Sequence, residues 1–202
     1  PSEELSTTLN HATTNELRII GEFDQETVNK LKCALKTVKF ETLNAQINNH
    51  YSGRFITDLV RNSTCIESVA IEWWKSLEQE DMDGAKQMLI SLPPLKTCYL
   101  SSPLSLIDDE TLVNLIQKSS DSNLSRATRA KNSISTSGLA KAFEVVCNSK
   151  ERKEARFCIS KSVLINFICH LDFAIFEFDP SAFIVQHRKS CARLHCSYHS
   201  HV

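Results

Sequence analysis

The sequence has little glycine, little net charge and no long apolar run, and each shortage excludes a class of protein. Its four glycines stand alone, so no glycine-rich loop is available to cradle a phosphate group. The formal net charge of −1 argues against a chain built mainly to coat nucleic acid or an anionic membrane. The longest apolar runs, such as residues 163–168, are far too short to span a bilayer, so we expect no membrane partner.

A secretory signal is also missing from the beginning of the sequence. Residues 1–4 are acidic and no apolar segment follows them, so we expect no signal peptide there. The 202 residues suit one domain, large enough to bury about 70% of the surface that its unfolded chain exposes. We expect residues 1–202 to form a single repeat domain, with residues 1–14 as a disordered lead-in and residues 173–202 as a terminal strand and hairpin cap.

What the sequence does contain is cysteine, spread along the chain rather than clustered. A secreted disulfide scaffold would be smaller, denser in cysteine and richer in loops. Free cysteine packs as a small apolar side chain, and most of these cysteines stand beside apolar residues. The pattern therefore favours reduced thiols in a cytoplasmic or nuclear protein. The eight residues are Cys33, Cys65, Cys98, Cys147, Cys158, Cys169, Cys191 and Cys196.

Short strand patterns recur along the chain, each with a polar or charged start followed by an apolar anchor. The anchors are spaced by 26, 26, 29, 29 and 28 residues, and they are Leu17, Leu43, Val69, Cys98, Ala127 and Ala155. The fifth pattern, residues 125–130, is the weakest because an arginine occupies an expected core position. A repeat of this length lies in the range of leucine-rich repeats, although the asparagine ladder of the strict type is lacking.

A one-sided apolar stripe separates successive strand patterns and predicts a helix in each interval. The expected helix N-caps are Asp24, Asp81 or Asp83, Asp108 and Ser135. One strand and one helix per repeat requires parallel neighbouring strands joined by crossovers. The sequence therefore predicts an α/β fold, a short curved leucine-rich-repeat-like solenoid of parallel strands with outer helices. Strand patterns at 173–178, 183–187 and 191–196 predict that a β-hairpin ends it.

Three stretches resemble nematode F-box-associated domains of the FTH type. They are Ile-Glu-Ser-Val-Ala-Ile at 66–71, Leu-Pro-Pro-Leu-Lys-Thr-Cys-Tyr-Leu at 92–100 and the closing run at 183–194, where Lys189 and Ser190 replace the family's usual turn glycine. No F-box lies in these residues. The resemblance implies a non-enzymatic protein-recognition domain, the substrate-binding part of an F-box-type ubiquitin ligase adaptor. An adaptor subunit would be a second partner if an F-box precedes residue 1. We expect no cofactor.

Alternate strand residues that point away from the core are the candidate partner-binding residues. They mix charged, amide and aromatic side chains, and arginine and the aromatics often dominate interface energies. We expect alanine at Tyr99 or Arg156 to weaken the partner without unfolding the domain. The tryptophan pair at 73–74 can place only one indole in the core, and the other packs over a helix or stands at a binding rim. The candidates are Arg18, Asn44, Glu72, Trp74, Tyr99 and Arg156.

Two alternative functions depend on other residue clusters. An RNA-binding or RNP-associated module would use the basic residues Arg126, Arg129, Lys131, Lys150, Arg152, Lys153 and Arg156, whose default interpretation is a solvated face. A zinc enzyme would use Cys191, His195, Cys196, His199 and His201, but their spacing matches no closed zinc motif and a solvated strand end explains them equally. No local signature surrounds any cysteine as a nucleophile, so we expect neither an enzyme nor a metal site.

Overall fold

A computed structural model gives the fold of the protein. It describes residues 13–73, 79–102, 106–124, 134–149, 152–168, 174–179, 182–187 and 193–198. The chain divides into two compact units, Pro1–Leu95 and Lys96–Val202. Strands alternate with helices in each unit, which confirms the predicted α/β class. Every described helix is too short or too polar to cross a lipid bilayer.

The first unit consists of three strand–helix pairs in its described residues. They are β1 (Thr13–Ile19), α1 (Gln25–Leu35), β2 (Lys39–Ile47), α2 (His50–Asn62), β3 (Ser68–Trp73) and α3 (Gln79–Ser91). β1 pairs with β2 and β2 pairs with β3, both in parallel, so α1 and α2 are crossovers, as predicted. Thr13 and Thr14 belong to β1 rather than to the expected lead-in.

The elements from β4 onward belong to the second unit, except that the first residue of β4 is the last of the first unit. They are β4 (Leu95–Ser101), α4 (Asp109–Lys118), β5 (Ser119–Asn123), α5 (Thr136–Asn148), β6 (Glu154–Ile159), α6 (Lys161–Ile168), β7 (Ala174–Asp179), β8 (Ala182–His187) and β9 (Arg193–Tyr198). The strand order is β4-β5-β6-β9-β8-β7. β6 is parallel to β5 and to β9, while β8 is antiparallel to β7 and to β9. The last strand of the chain therefore continues the parallel series after β6.

The predicted register is correct in the first unit and wrong at the fifth strand. Leu17 aligns with Leu43 and Leu43 with Val69, as their spacing of 26 residues predicts. In the second unit the partner of Ala155 is Ser122 rather than Ala127, because β5 starts at residue 119 instead of 125. Residues 125–130 lie outside the described residues.

Serines in the core explain why an apolar pattern missed β5. Ser119 and Ser122 are 2% and 0% exposed, and their hydroxyl groups hydrogen-bond to each other. The Ser119 hydroxyl also lies 2.6 Å from the Leu115 carbonyl oxygen. A buried hydroxyl is tolerated when it is hydrogen-bonded, so serine can occupy a position that other repeats fill with an apolar side chain.

The apolar stripes of the described helices are buried, as predicted. These side chains form the core with the buried residues of the strands, because a one-sided stripe must be covered by another element. In the first unit they include Val28, Leu35, Phe55, Ile56, Val60, Met88 and Leu89. In the second unit they include Leu112, Leu115, Ile116, Leu139, Ala142 and Val146.

Most helix starts follow the predicted capping chemistry. Asp24, Asp108 and Ser135 each accept a hydrogen bond from the backbone amide three residues later. A fourth cap, Asn49 of α2, was not predicted and forms a reciprocal capping box with Ser52. The prediction of Asp81 or Asp83 as a cap was wrong, because α3 already begins at Gln79 and both residues lie inside it.

Two asparagines join consecutive loops of the first unit. The side-chain amide of Asn48 donates to the carbonyl of Gly21 at 2.8 Å, and that of Asn49 donates to the carbonyl of Phe23 at 2.9 Å. Gly21 has a φ of +140°, a conformation that favours glycine. The sequence lacks the asparagine ladder of strict leucine-rich repeats. Asn48 and Asn49 nevertheless donate side-chain hydrogen bonds from the loop after β2 to the loop after β1.

Candidate functional site

One face of the strands carries polar side chains that the helices do not cover. Burial alternates strictly from Leu43 to Ile47 in β2 and throughout β3, where every second residue is buried and the residues between are half-buried. We call these alternate positions the strand face. In the first unit it comprises Glu16, Arg18, Thr42, Asn44, Gln46, Ser68, Ala70 and Glu72, and in the second unit Tyr99, Ser101, Asp121, Asn123, Glu154, Arg156, Arg193 and His195.

The first unit brings together two of the predicted binding residues. Arg18 aligns with Asn44 on the neighbouring strand, and its guanidinium donates to both carboxylate oxygens of Glu16 at 2.8 and 3.0 Å. The hydrogen bond from Arg18 is the main reason that the pKa of Glu16 lies below its ordinary value, and Asn44 adds to the effect. Glu72 lies opposite Gln46 on the same face. Trp74 lies outside the described residues, whereas Trp73 is in the core at 3% exposed.

Tyr99 and Arg156 belong to the strand face of the second unit, as predicted. Tyr99 is half-buried between the buried Cys98 and Leu100 of β4. Arg156 is half-buried between the buried Ala155 and Phe157 of β6. The alternation that defines a strand with one buried face therefore holds at both positions. Thr128, the remaining residue of the predicted row, lies outside the described residues.

Arg156 is the centre of a set of titratable side chains that spans three strands. The register aligns Asp121 with Glu154 and Glu154 with Arg193, and one rung further it aligns Arg156 with His195. Residues opposite one another on neighbouring strands share a face and lie within reach of each other. We call Asp121, Glu154, Arg156, Arg193 and His195 the ion cluster.

The distances within the ion cluster show which groups balance each other. The guanidinium of Arg156 donates to Glu154 Oε1 at 2.7 Å and lies 3.5 Å from Asp121 Oδ1. The same Glu154 oxygen is 3.2 Å from His195 Nε2. That last pair has an ion-pair distance without hydrogen-bond geometry, since His195 Nε2 has no hydrogen-bond partner among the described residues. Arg156 is therefore the cation that both carboxylates share.

Burial and charge act in opposite directions on the two acid–base groups of the ion cluster. Burial disfavours ionisation of Glu154, but the hydrogen bond and charge of Arg156, with help from His195 and Arg152, outweigh it and lower the pKa of Glu154. For His195 burial is the largest influence and lowers its pKa, while Glu154 opposes this and Arg156 and Arg193 reinforce it. At neutral pH the imidazole is therefore uncharged, and Arg156 rather than His195 balances Glu154.

Three atoms of the ion cluster keep unused hydrogen-bonding capacity. Asp121 Oδ1, Arg193 Nε and His195 Nε2 have no hydrogen-bond partner among the described residues. They include an acceptor and a guanidinium donor on one face of neighbouring strands. All three atoms are buried, so a partner reaches them only where neighbouring side chains move, whereas the partly exposed Arg156 guanidinium can pair directly with an acidic group of a partner.

Sequence reasoning missed most of the ion cluster. It assigned no role to Asp121, Glu154 or Arg193 and considered His195 only as a possible zinc ligand. The available signal was the pair of charges two residues apart, Glu154 with Arg156 and Arg193 with His195, because such pairs share one face of a strand. Asp121 could not be found in this way, since β5 was placed in the wrong segment.

The C-terminal histidines and cysteines are only partly visible in the structure. His195 is half-buried and Cys196 is fully buried, so adjacent residues of β9 point to opposite sides. Cys191, His199 and His201 lie outside the described residues. Among the residues that are described, no group of three or more histidine, cysteine or acidic side chains is placed to hold a metal ion.

The six described cysteines are free thiols of contrasting exposure. Burial raises the pKa of Cys98 to about 12 and that of Cys147 to about 11. Cys196 is shifted in the same direction for the same reason. A thiol must ionise to act as a nucleophile, so these three cysteines are suited to packing rather than to catalysis.

The basic residues suggested as an RNA surface are engaged within the protein where they are described. Arg152 lies 4.0 Å from a carboxylate oxygen of Glu154. Lys153 is buried, and its ammonium group donates to the carbonyls of Gln117 and Ser119 at 2.9 Å each. Arg156 is held by the ion cluster. Arg126, Arg129, Lys131 and Lys150 lie outside the described residues.

Comparison of the chain with protein-family models, with curated proteins and with solved structures found no match. The functional argument therefore depends on the strand face and its charges.

Proposed function

We propose that the strand face is a non-enzymatic protein-recognition surface. The observation that carries the proposal is the ion cluster, in which charged groups on three strands hold each other in place and the Arg156 side chain is still 39% exposed. Binding to side chains that are already ordered costs less conformational entropy than binding to free ones. Tyr99 adds a half-buried aromatic side chain to the same face of the second unit.

The sequence resemblance supports a more specific form of the proposal. In this form the chain is the substrate-binding part of an F-box-type ubiquitin ligase adaptor, in the cytoplasm or nucleus, and its repeats form a curved solenoid ended by a hairpin. The parallel strand–helix units are compatible with such repeats. An adaptor subunit would then bind an F-box upstream of residue 1, and a separate target protein would bind the strand face.

The proposal is tested by affinity purification of the full-length parent followed by mass spectrometry. One bait carries the native chain, one carries Asn44→Ala with Tyr99→Ala on the strand face, and one carries Glu26→Ala with Lys30→Ala. The last two residues form an exposed i,i+4 ion pair on α1 and serve as the matched control. We expect the native and control baits to recover the same target and the strand-face variant to lose it.

The same experiment separates the two parts of the proposal. An adaptor subunit recovered by all three baits supports the F-box assignment, whereas its absence from all three contradicts that assignment alone. A target that the strand-face variant recovers as well as the control does would contradict recognition through the strand face.

RNA binding is the alternative function, and the described basic residues favour it less. Arg152 and Arg156 already pair with a carboxylate, and the buried Lys153 ammonium group donates to two carbonyls, so these three groups are engaged before any phosphate contact. A salt titration separates the two functions. Phosphate contacts make log affinity fall steeply with log salt concentration, and we expect no RNA complex that shows such a dependence at physiological salt.

A further inference from the structure

A groove with a volume of about 310 Å³ lies between α2 and α3 in the first unit. Ile47, Trp73 and Met88 line it with side chains that are 1%, 3% and 0% exposed. Small-molecule sites are typically concave and mainly apolar, with volumes of about 300–1,000 Å³. The groove is at the lower end of that range and suits a ligand of one or two rings.

Two helix glycines, Gly53 of α2 and Gly84 of α3, also line the groove. A Cβ atom added at Gly84 would meet no atom within 4 Å. Glycine is a poor helix former, and neither residue has the positive φ that would require it. Gly84 thus weakens its helix while leaving the adjacent space empty.

The indole nitrogen of Trp73 is an unused donor beside this space. It is buried and has no hydrogen-bond partner among the described residues. Buried indole N–H groups usually find an acceptor, because an unpaired buried donor costs free energy. The nitrogen is covered by protein atoms, so a ligand in the groove changes its surroundings without reaching it, and the indole N–H serves as a reporter of occupancy.

The charges around the groove leave one cation in surplus. Lys32 pairs with Asp58 at 2.5 Å, and Arg54 pairs with Asp81 at 3.3 Å. Arg61 also lines the groove, is exposed, and has no ion pair among the described residues. A guanidinium in this position favours a carboxylate ligand.

We propose that the groove binds a small aromatic carboxylate. The aromatic ring occupies the open space beside Gly84, over the apolar side chains beneath it, and the carboxylate pairs with Arg61. This site is separate from the strand face, since Trp73 belongs to the buried side of β3. It does not depend on the proposed protein-recognition function.

The test uses 2-naphthoate as the probe and 2-naphthamide as its neutral counterpart. The indole N–H resonances of the ¹⁵N-labelled chain are followed by NMR, with a Trp74→Phe variant to assign the Trp73 signal. We expect 2-naphthoate to shift the Trp73 signal saturably and to bind at least about fivefold more tightly than 2-naphthamide.

Three variants test whether the groove itself is occupied. Gly84→Leu fills the open space and should weaken 2-naphthoate at least about tenfold without lowering the thermal midpoint. Arg61→Gln should remove the preference for the acid over the amide. Lys30→Gln is the matched control, because Lys30 is an exposed cation of α1 that does not line the groove, and it should bind as the native chain does.

A Trp73 signal that does not move with 2-naphthoate in the folded protein would overturn the proposal. Binding that survives both Gly84→Leu and Arg61→Gln unchanged would overturn it too, because the probe would then bind elsewhere. If Gly84→Leu does not fold, Arg61→Gln decides alone, through the ratio of the acid and amide affinities.

Discussion

The strand face carries its charge differently in the two units. In the first unit Arg18 pairs with Glu16 of its own strand, and the Arg18 side chain is 65% exposed. In the second unit Arg156 contacts carboxylates of two strands and is 39% exposed, while Glu154 is 22% exposed. Water screens an exposed ion pair strongly, so the first arrangement contributes little to stability, whereas the second is less screened and joins neighbouring strands.

This difference shows that one backbone pattern can support two kinds of surface. Both units alternate buried apolar residues with outward polar ones, as Leu43 and Asn44 do in β2 and Ala155 and Arg156 do in β6. Among the outward residues of the first unit, the Arg18–Glu16 pair is exposed and lies within one strand. Those of the second unit are ordered by one another before any partner arrives, which is why we place the main polar recognition there.

The largest expected effect comes from the core and provides a baseline for the comparison. Ile56 of α2 and Leu115 of α4 are 0% and 1% exposed. Replacing either with alanine should cost about 2–5 kcal/mol, because the substitution leaves a cavity among packed side chains. Urea unfolding measures both losses. A variant that unfolds at the native urea concentration would show that its helix stripe is not part of the core.

The next prediction separates the ion pairs of the two units. Arg156→Ala removes the shared cation of Glu154 and Asp121 and should cost about 1–2 kcal/mol, less than for a fully buried pair because the site is partly exposed. Arg18→Ala should leave stability unchanged within error. This revises the expectation from sequence that Arg156→Ala would spare stability.

Chemical denaturation of both variants, with Arg156→Lys as the conservative control, checks this prediction. Lysine keeps the positive charge but carries it on one nitrogen, so it cannot contact Glu154 and Asp121 through two separate nitrogens as Arg156 does, and an intermediate loss is expected. Equal stability of Arg156→Ala and Arg18→Ala would mean that the ion cluster contributes no more to folding stability than an exposed ion pair does.

Two glycine substitutions should change stability in opposite directions in the two units. Gly84→Ala places a methyl group in open space and should raise stability by up to about 1 kcal/mol through helix propensity. Gly138→Ala should lower it by about 1 kcal/mol, because the new Cβ would overlap the Asp109 carboxylate. That carboxylate accepts from the Ser135 amide at 2.7 Å and from its hydroxyl at 2.5 Å, and it would have to move.

Thermal unfolding of Gly84→Ala, Gly138→Ala and the native chain measures whether the two stability changes have opposite signs. A gain in both variants would show that Asp109 moves aside without loss, and a loss in both would contradict the open space beside Gly84.

The pH dependence of stability should reveal the ion cluster as a smaller effect. The pKa of His195 lies below 6.5 in the folded protein, so the unfolded chain takes up its proton first and stability falls as pH drops from 6.5 through the folded value. The pKa of Glu154 lies below 4.5, so its contribution is present above 4.5 and is lost as pH falls through the folded value. Both pKa shifts therefore make the folded state less stable at acidic pH.

Thermal midpoints measured from pH 8 to pH 4 test whether acid destabilises the folded protein through these two groups. The difference in thermal midpoint between the native chain and His195→Gln should be constant above about pH 6.5. Below that pH the midpoint of the native chain should fall relative to that of the variant. A native chain that gains stability relative to the variant on acidification would contradict the assignment of a neutral, buried imidazole.

The sequence predicts the repeat pattern correctly where the inward residues are apolar and the outward residues are polar. The spacing of Leu17, Leu43 and Val69 predicted the register of the first three strands because apolar anchors alternate there with polar residues. It failed at β5, where Ser119 and Ser122 occupy core positions and satisfy their hydroxyls locally. A pattern that counts apolar residues cannot detect a hydrogen-bonded serine core.

The candidate site was predictable within a strand but not between strands. The alternation of polar and apolar residues in the sequence predicts that Arg18, Asn44, Tyr99 and Arg156 face outward, and all four are half-buried or exposed in the structure. Asp121 and His195 lie on strands other than that of Arg156, and β9 joins β6 only because the chain returns past β7 and β8. Such a return depends on tertiary packing, so sequence spacing carried no signal that Asp121 and His195 would meet at Glu154.

Binding by the strand face is the central claim, and Tyr99→Ala tests it most directly. The affinity of the purified target for this variant is measured by calorimetry beside its thermal midpoint. We expect the affinity to weaken by at least about 1 kcal/mol while the midpoint stays at the native value, because Tyr99 is half-buried on the outward side of β4. A midpoint that collapses while the affinity stays native would contradict the account, since Tyr99 would then belong to the core.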